Sequence, residues 1–210
     1  MSTLQQQNQG IHPAGGDATK QKNNQNDNAS VAQQISDLLK LIDGIQTCMM
    51  TTRRADGQLV SRAMQTRSRD NAVDLWFVTN NQTHKMEELQ FDPHVNLSFY
   101  KDGTSEWVSV SGVAKLSNDK SKIKDLWDED LKAWFGDLGD GVHTGGPEDP
   151  RITLIFVEVQ SAHYYLRDKS TPTVVYEVVK GAVTGSVAKV GPTRELGEGE
   201  LDAARKLAQH

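Results

Sequence analysis

Between Asn80 and Leu89 the chain reads NNQTHKMEEL, directly after the apolar run VDLWFVT. A hydroxyl, an imidazole and an ammonium, those of Thr83, His84 and Lys85, therefore fall where a strand hands over to a helix. The chemistry open to such a turn is anion binding. A helix N-terminus presents unpaired N–H groups and the positive end of the backbone dipole. Thr83 adds a hydroxyl, and Lys85 adds a point charge suited to phosphate. Arg62, in the run LVSRAM, is a second cation that a neighbouring strand could bring to the same ligand. A plainer reading also stands: Asn81 or Thr83 caps the helix and Lys85 faces water. His84 reads as a surface residue, not a catalyst.

Other site chemistries find little to work with. None of the six histidines, His12, His84, His94, His143, His163 and His210, pairs with another His or Cys at metal-ligand spacing. Neither H-E-x-x-H nor C-x-x-C occurs, so no metal is expected. G-x-S-x-G is absent, and the Gly-rich stretch 136–146 lacks the G-K-[ST] ending of a P-loop. That stretch reads first as a surface loop and second as a lid over a site. The single cysteine, Cys48, lies in the strand-like run TCMMTT. It allows no internal disulfide and reads as a buried, inert thiol. No catalytic residue is identified.

Bulk properties narrow the partners. The 210 residues carry a formal net charge of -5, and Arg53, Arg54, Arg62, Arg67 and Arg69 are dispersed among acids and polar residues. A general nucleic-acid binder would show a clustered basic face. No apolar run is long enough to cross a bilayer, and no basic start precedes an apolar block. Neither nucleic acid nor membrane is an expected partner, and a reducing cytoplasm is the expected location.

The elements that position the turn follow from periodicity. Residues 1–28 are rich in Gln, Asn and Gly, too polar to offset their ordering entropy, and read as a flexible tail. A helix begins near Ser30, with Val31, Ile35, Leu38, Leu39 and Ile42 at helical spacing and Gly44 as its stop. The period then becomes two. TCMMTT and LVSRAMQ flank Asp56-Gly57, a hairpin signal. VDLWFVT puts Val73, Leu75 and Phe77 on one face; HVNLSFYK puts Val95, Leu97 and Phe99 inside; EWVSVSGVAKL alternates too. One helix from about Asn118 or Asp119 carries the stripe Ile123, Leu126, Trp127, Leu131 and Trp134. RITLIFVEV is apolar on both faces, TVVYEVV reads as a last strand, and DAARKLAQH as a short helix. The fold class is mainly β with flanking helices. About seven strands, mostly antiparallel, suit a closed or partly closed barrel better than a Rossmann-type sheet.

The order of segments carries a resemblance. SRAM, LWFVTN, QTHKMEEL, DPHVNLSFY, WVSVSGVAKL and a helix ending LKAWF, in that sequence, resemble the general stress protein branch of the pyridoxamine phosphate oxidase-like, FMN-binding split β-barrels. The likeness runs over about residues 33 to 180. It implies a six-stranded split β-barrel that forms a homodimer with flavin at the interface. The expected domains are a tail over 1–28, an FMN-binding barrel over 29–182 and an extension over 183–210. By the resemblance, Arg62, Thr83 and Lys85 hold the FMN phosphate. Ala63 and Met64 pass the ring with their backbone, and Phe77, Val78, Thr79 and Asn80 flank it. Trp127, Trp134 and Phe135 match the helix near the flavin edge, and Ser109 and Ser111 the strand lining the interface. Aromatic stripes usually pack, so Phe77 and Trp127 read first as core; Trp134, at a helix end beside the Gly-rich loop, is the better candidate.

Two departures stand out. The branch usually follows Trp-Phe closely with Asp-Asp-Pro, whereas here a longer Gly-rich loop separates Trp134-Phe135 from Glu148-Asp149-Pro150. The C-terminal ARKLAQH lacks the Arg-x-His spacing of true pyridoxamine phosphate oxidases, so that reaction is not assigned. The implied function is a stress protein that binds FMN, or alternatively FAD, with electron or hydride transfer at the flavin. A non-catalytic flavin-binding or sensing module and a cofactor-free dimeric interaction protein are the alternatives.

Overall fold

The computed structural model describes residues 28–185 and 188–208. All of the 1–28 tail except Asn28 lies outside them, as do His12 and His210. The described residues divide into two compact units, one spanning 28–167 and 193–208, the other 168–185 and 188–192. In chain order the elements are α1 (Val31–Ile45), β1 (Thr47–Arg53), β2 (Leu59–Asp70), β3 (Asp74–Asn80), α2 (Lys85–Phe91), β4 (His94–Lys101), β5 (Glu106–Ser117), α3 (Lys120–Leu126), α4 (Glu129–Phe135), β6 (Ile152–Tyr165), α5 (Thr171–Thr184), β7 (Thr193–Leu196) and α6 (Glu198–Ala208). The whole sheet belongs to the first unit; α5 belongs to the second.

Period-two alternation builds the barrel. Cys48, Met50 and Thr52 of β1 are buried while Thr47, Met49 and Arg53 face outward. Val95, Leu97 and Phe99 of β4 are buried in the same way. The β1–β2 hairpin turns as Asp56-Gly57 predicts: Arg54 N–H bonds the Gln58 carbonyl at 2.9 Å, and Gly57 takes φ 87°. Strand order is β3-β2-β1-β4-β5-β6-β7, with every pairing antiparallel. β3 also pairs with β6, from Leu75 opposite Val157 to Asn80 opposite Ile152. Six strands thereby close on themselves, which removes the exposed edges of an open sheet. Fully buried Phe77, Leu97 and Tyr164 anchor the main core, each contributing on the order of 1.5–3 kcal/mol by burial.

β6 is apolar on both faces because both are covered. Ile155 and Val157 join the main core, while Ile152 and Leu154 pack with Ile123, Leu131 and Phe135 of α3 and α4. The β5–β6 register shifts between Ser111 and Gly112. A Cβ at Gly112 would collide with the Glu158 carbonyl and approach Val157 Cγ1 to 2.9 Å, so only glycine fits this bulge.

Four sequence expectations change. α1 runs past Gly44, and Gln46 ends it at φ 63°, its N–H bonding the Ile42 carbonyl. The single helix from Asn118 is two. Trp127 is extended and the Asp128 carboxylate accepts the Glu129 N–H at 2.7 Å, starting α4 afresh. Trp134 is consequently off the apolar stripe and 82% exposed. TVVYEVV is helix α5, not a strand: Pro172 sits in its first turn and Gly185, at φ 67°, caps its C-terminus. These end signals outweigh the strand preference of its valines. The seventh strand is instead TREL, Thr193–Leu196, paired with Ala162–Tyr165. Among the described residues no helix is long and apolar enough to cross a membrane.

Candidate functional site

The turn after β3 is built by its own polar side chains. Asn80 Oδ1 accepts the Gln82 N–H at 2.8 Å, and Thr83 Oγ1 donates to the Asn80 carbonyl at 2.8 Å. Asn81 Nδ2 donates to the Pro150 carbonyl at 2.8 Å. Neither Asn81 nor Thr83 caps the helix by its side chain: α2 starts at Lys85 behind His84, with no side-chain cap bond. Met86 and Glu88 N–H bond the Thr83 and His84 carbonyls, so the helix end is partly occupied and the seat for an anion is made by side chains. Lys85 does not face water. Its Nζ donates to Thr79 Oγ1 at 2.7 Å and Thr83 Oγ1 at 2.9 Å. Among the described residues no carboxylate pairs with it. Burial, and then the nearby charge of Arg62, hold the Lys85 pKa below the usual ammonium value, against the opposing pull of Glu88.

Lys85 lines a cavity of about 410 Å³. β3 and its turn contribute Val78, Thr79 and Asn80; β1 and β2 contribute Thr47, Ala63, Met64, Gln65 and Arg67; α4 contributes Leu131, Trp134 and Phe135. Eight residues that the resemblance names thus meet here: Ala63, Met64, Val78, Thr79, Asn80, Lys85, Trp134 and Phe135. Thr83 reaches the cavity through its bond to the Lys85 ammonium.

The remaining expected residues lie elsewhere. Phe77 points into the barrel core with 0% exposure, since period two sends its neighbour Val78 to the other face. The expected meeting of Arg62 with Lys85 around one cavity is not found. Arg62 lines a separate cavity of about 640 Å³ with Arg54, His84, Glu88 and Phe91. The cause is local: Glu88 Oε2 accepts from Arg62 Nη2 and from Thr52 Oγ1, both at 2.5 Å, and Arg62 Nη1 also donates to Thr52 Oγ1. Burial would raise the Glu88 pKa, but the hydrogen bonds from Thr52 and Arg62 outweigh it and hold the carboxyl below its usual value.

Ser109 and Ser111 sit on the outward face of the sheet. Across neighbouring strands, Ala63, Met49, Ser98 and Ser109 stand in one row and Ser61, Thr51, Asn96 and Ser111 in the next. Asn96 Nδ2 donates to Ser109 Oγ at 2.9 Å, and the Thr51 and Ser61 hydroxyls lie 2.6 Å apart. Neither row contains a charge, and the face is continuous with the cavity wall at Ala63.

Sequence reading missed Arg67 and Glu88. Arg67 makes a two-pronged bond to Asp130 of α4, at 3.0 and 2.9 Å, 63 residues away, which no local pattern announces. Glu88 had a signal: three residues after Lys85 on a short helix, it shares that residue's face. The Gly-rich loop is pinned at both ends. Arg151 donates to the Phe135 and Gly136 carbonyls at 2.8 Å each and to Asp149 Oδ2 at 2.7 Å; Asp149 also accepts the Gly145 N–H at 2.7 Å. Trp127 Nε1 donates to the Gly145 carbonyl at 3.2 Å. This clasp sets the end of α4, and with it Trp134 and Phe135. Cys48 is buried and its thiol is pushed up to about 12 by that burial, as an inert residue requires. Arg205, in the C-terminal segment, is tied to Asp74 at 2.7 Å and Asp202 at 2.7 Å.

Residues 33–189 match the family described as pyridoxamine 5'-phosphate oxidase like. The chain is 41% identical over 175 residues to Protein bli-3 of Neurospora crassa, covering 82% of this chain and 84% of that one. It is 26% identical over 106 residues to General stress protein 26 of Bacillus subtilis, covering 49% of this chain and 69% of the other. Among solved structures, the general stress FMN/FAD binding protein from the phytopathogen Xanthomonas citri superposes with a TM-score of 0.54 at 22% identity, covering 67% of this chain and 93% of that one. The fold, the extent of the match and the identity to the Neurospora protein agree: this chain belongs to the pyridoxamine 5'-phosphate oxidase-like family.

Proposed function

We propose that this chain is a flavin-binding stress protein that holds FMN in the Lys85 cavity and works as a redox protein. The observation that carries the reading is the half-buried Lys85 ammonium, held by two hydroxyls and, among the described residues, paired with no carboxylate. It lies in a cavity walled by the Ala63–Gln65 strand segment and by Trp134. A buried cation without a counter-ion is costly unless a ligand supplies the negative charge. The donor set suits a flavin phosphate: the Lys85 ammonium and the Thr79 hydroxyl beside it, with the Arg62 guanidinium held by Glu88 in the neighbouring cavity. A similar structure is described as FMN/FAD binding, and a similar protein as a general stress protein, which supports the cofactor class and the physiological setting.

A bound flavin would supply hydride and single-electron transfer, chemistry that no side chain of the cavity offers. The chain's own residues do the rest. Lys85 neutralises the phosphate, and Thr79 and Thr83 aim its ammonium. Val78, Leu131 and Phe135 give the cavity an apolar wall, and Trp134 stands exposed at its mouth. The uncharged outward rows running from Ala63 to Ser109 and from Ser61 to Ser111 form the face on which a second copy would seat, completing the cavity in a homodimer. Interface cores are depleted of charge in this manner.

The test is titration of the purified protein with FMN, FAD and riboflavin, followed by flavin fluorescence, with sedimentation velocity alongside. Tight FMN binding, weaker riboflavin binding and a dimer are expected; a protein that ignores all three flavins overturns the reading. Anaerobic addition of NADH or NADPH then separates a redox protein from a sensing module, since only the former bleaches the flavin bands.

A further inference from the structure

We infer that Glu88 sets the anion affinity of the Lys85 seat by holding Arg62 back from it. The inference rests on the phosphate reading above and adds a residue that would touch neither the ligand nor the reacting atoms. Glu88 is 7% exposed, and a carboxylate so buried persists only with partners. Thr52, Arg62 and Glu88 hydrogen-bond one another in a closed triangle. Its effect is to hold the guanidinium in the neighbouring cavity, lined by Arg54 and His84, and out of the one that Lys85 lines. In the Lys85 cavity the other cation, Arg67, is neutralised by Asp130. Lys85, one helical turn before Glu88, is left to meet an anion without Arg62.

The charges decide the consequence. Lys85 and Arg62 together would present two positive charges to a dianion; Glu88 cancels one. The carboxylate is ionised at neutral pH, because the Thr52 and Arg62 hydrogen bonds favour that form. An incoming phosphate therefore competes with Glu88 for the same guanidinium. Arg62 retains capacity for the exchange: its Nε–H has no partner among the described residues. Glu88 is thus a positioning residue that tunes how tightly a phosphate-bearing ligand is held, and it leaves a phosphate-free ligand unaffected.

The experiment compares Glu88→Gln, Arg62→Ala and the double variant with the unmodified protein, by FMN and riboflavin titration at two salt concentrations. The amide introduced by Glu88→Gln keeps an oxygen acceptor for Thr52 and Arg62 while losing the charge. The expected result is about tenfold tighter FMN binding in Glu88→Gln, more salt-sensitive than before, with riboflavin affinity unchanged. The gain should vanish in the Arg62→Ala background. Equal or weaker FMN binding by Glu88→Gln, at an unaltered melting temperature, overturns the inference and leaves Glu88 a structural partner only. If Glu88→Gln fails to fold, Glu88→Asp withdraws the carboxylate by one methylene. It should shift FMN affinity the same way by a smaller factor, and equal or weaker affinity overturns the inference. If the unmodified protein binds no flavin, the flavin reading has failed separately. Calorimetric titration with inorganic phosphate then decides the role of Glu88: tighter binding by Glu88→Gln upholds it, and equal or weaker binding overturns it.

Discussion

Two clusters of charge in this barrel are built from similar groups and do different work. Arg151 and Asp149 saturate each other. The guanidinium bonds two backbone carbonyls and both carboxylate oxygens, and the carboxylate also receives two backbone N–H groups. Lys85, Arg62 and Glu88 are left incomplete. The ammonium has only hydroxyl partners, and the guanidinium uses two nitrogens on Glu88 and Thr52. A saturated pair closes a loop and has nothing left for a ligand. An unsaturated one carries a desolvation cost that a ligand's charge can relieve. Completeness of the hydrogen bonding, more than the presence of charge, separates the clasp from the seat.

Breaking the saturated cluster should have the largest effect. Asp149→Ala leaves Arg151 buried without its carboxylate, and the melting temperature should fall by about 10 °C. Flavin affinity should fall with it, because the α4 end that carries Trp134 and Phe135 loses its anchor. Thermal unfolding followed by circular dichroism checks this, and an unchanged melting temperature would contradict the structural role.

The unsaturated cluster should respond in the opposite sense. Lys85→Met is expected to weaken FMN binding by about 1.5–3 kcal/mol, through loss of a charge-assisted contact. It should leave the flavin-free fold as stable as before or more so, since a desolvated cation has gone. Paired titration and denaturation experiments read both quantities, and a stability loss as large as that of Asp149→Ala would erase the contrast.

The two clusters also differ in pH response. The Lys85 pKa is lowered by burial and by Arg62, so between that lowered value and the ordinary 10.5 the unfolded chain binds more protons than the folded one. Stability of the flavin-free protein should therefore rise with pH across that window, while FMN affinity falls as the ammonium deprotonates. Lys85→Met should flatten both slopes. The smallest effect belongs to Trp134→Ala. The residue is 82% exposed, so stability should stay within about 0.5 kcal/mol, with FMN affinity reduced only a few-fold.

Much of the barrel was legible in the residues alone. Val73, Leu75 and Phe77, or Val95, Leu97 and Phe99, declare their buried faces by alternation, and Asp56-Gly57 declares its hairpin. The strand-to-helix turn bearing Thr83 and Lys85 was equally visible. TVVYEVV misled because valine preference and helix-end signals conflict there, and Pro172 and Gly185 win. TREL was silent because four polar-rich residues show no period. Phe77 followed its packing role and left the cavity to Val78.

Local order was largely written in the chain: a period of two or of 3.6 depends only on neighbours, so the first six strands, their faces and the position of Lys85 needed nothing further. Which cation remains open to a ligand was decided by tertiary structure. The partner of Arg62 is 26 residues away and that of Arg67 is 63 away. Charges that meet across elements depend on the register and closure of the barrel, and no spacing along the chain encodes those distances.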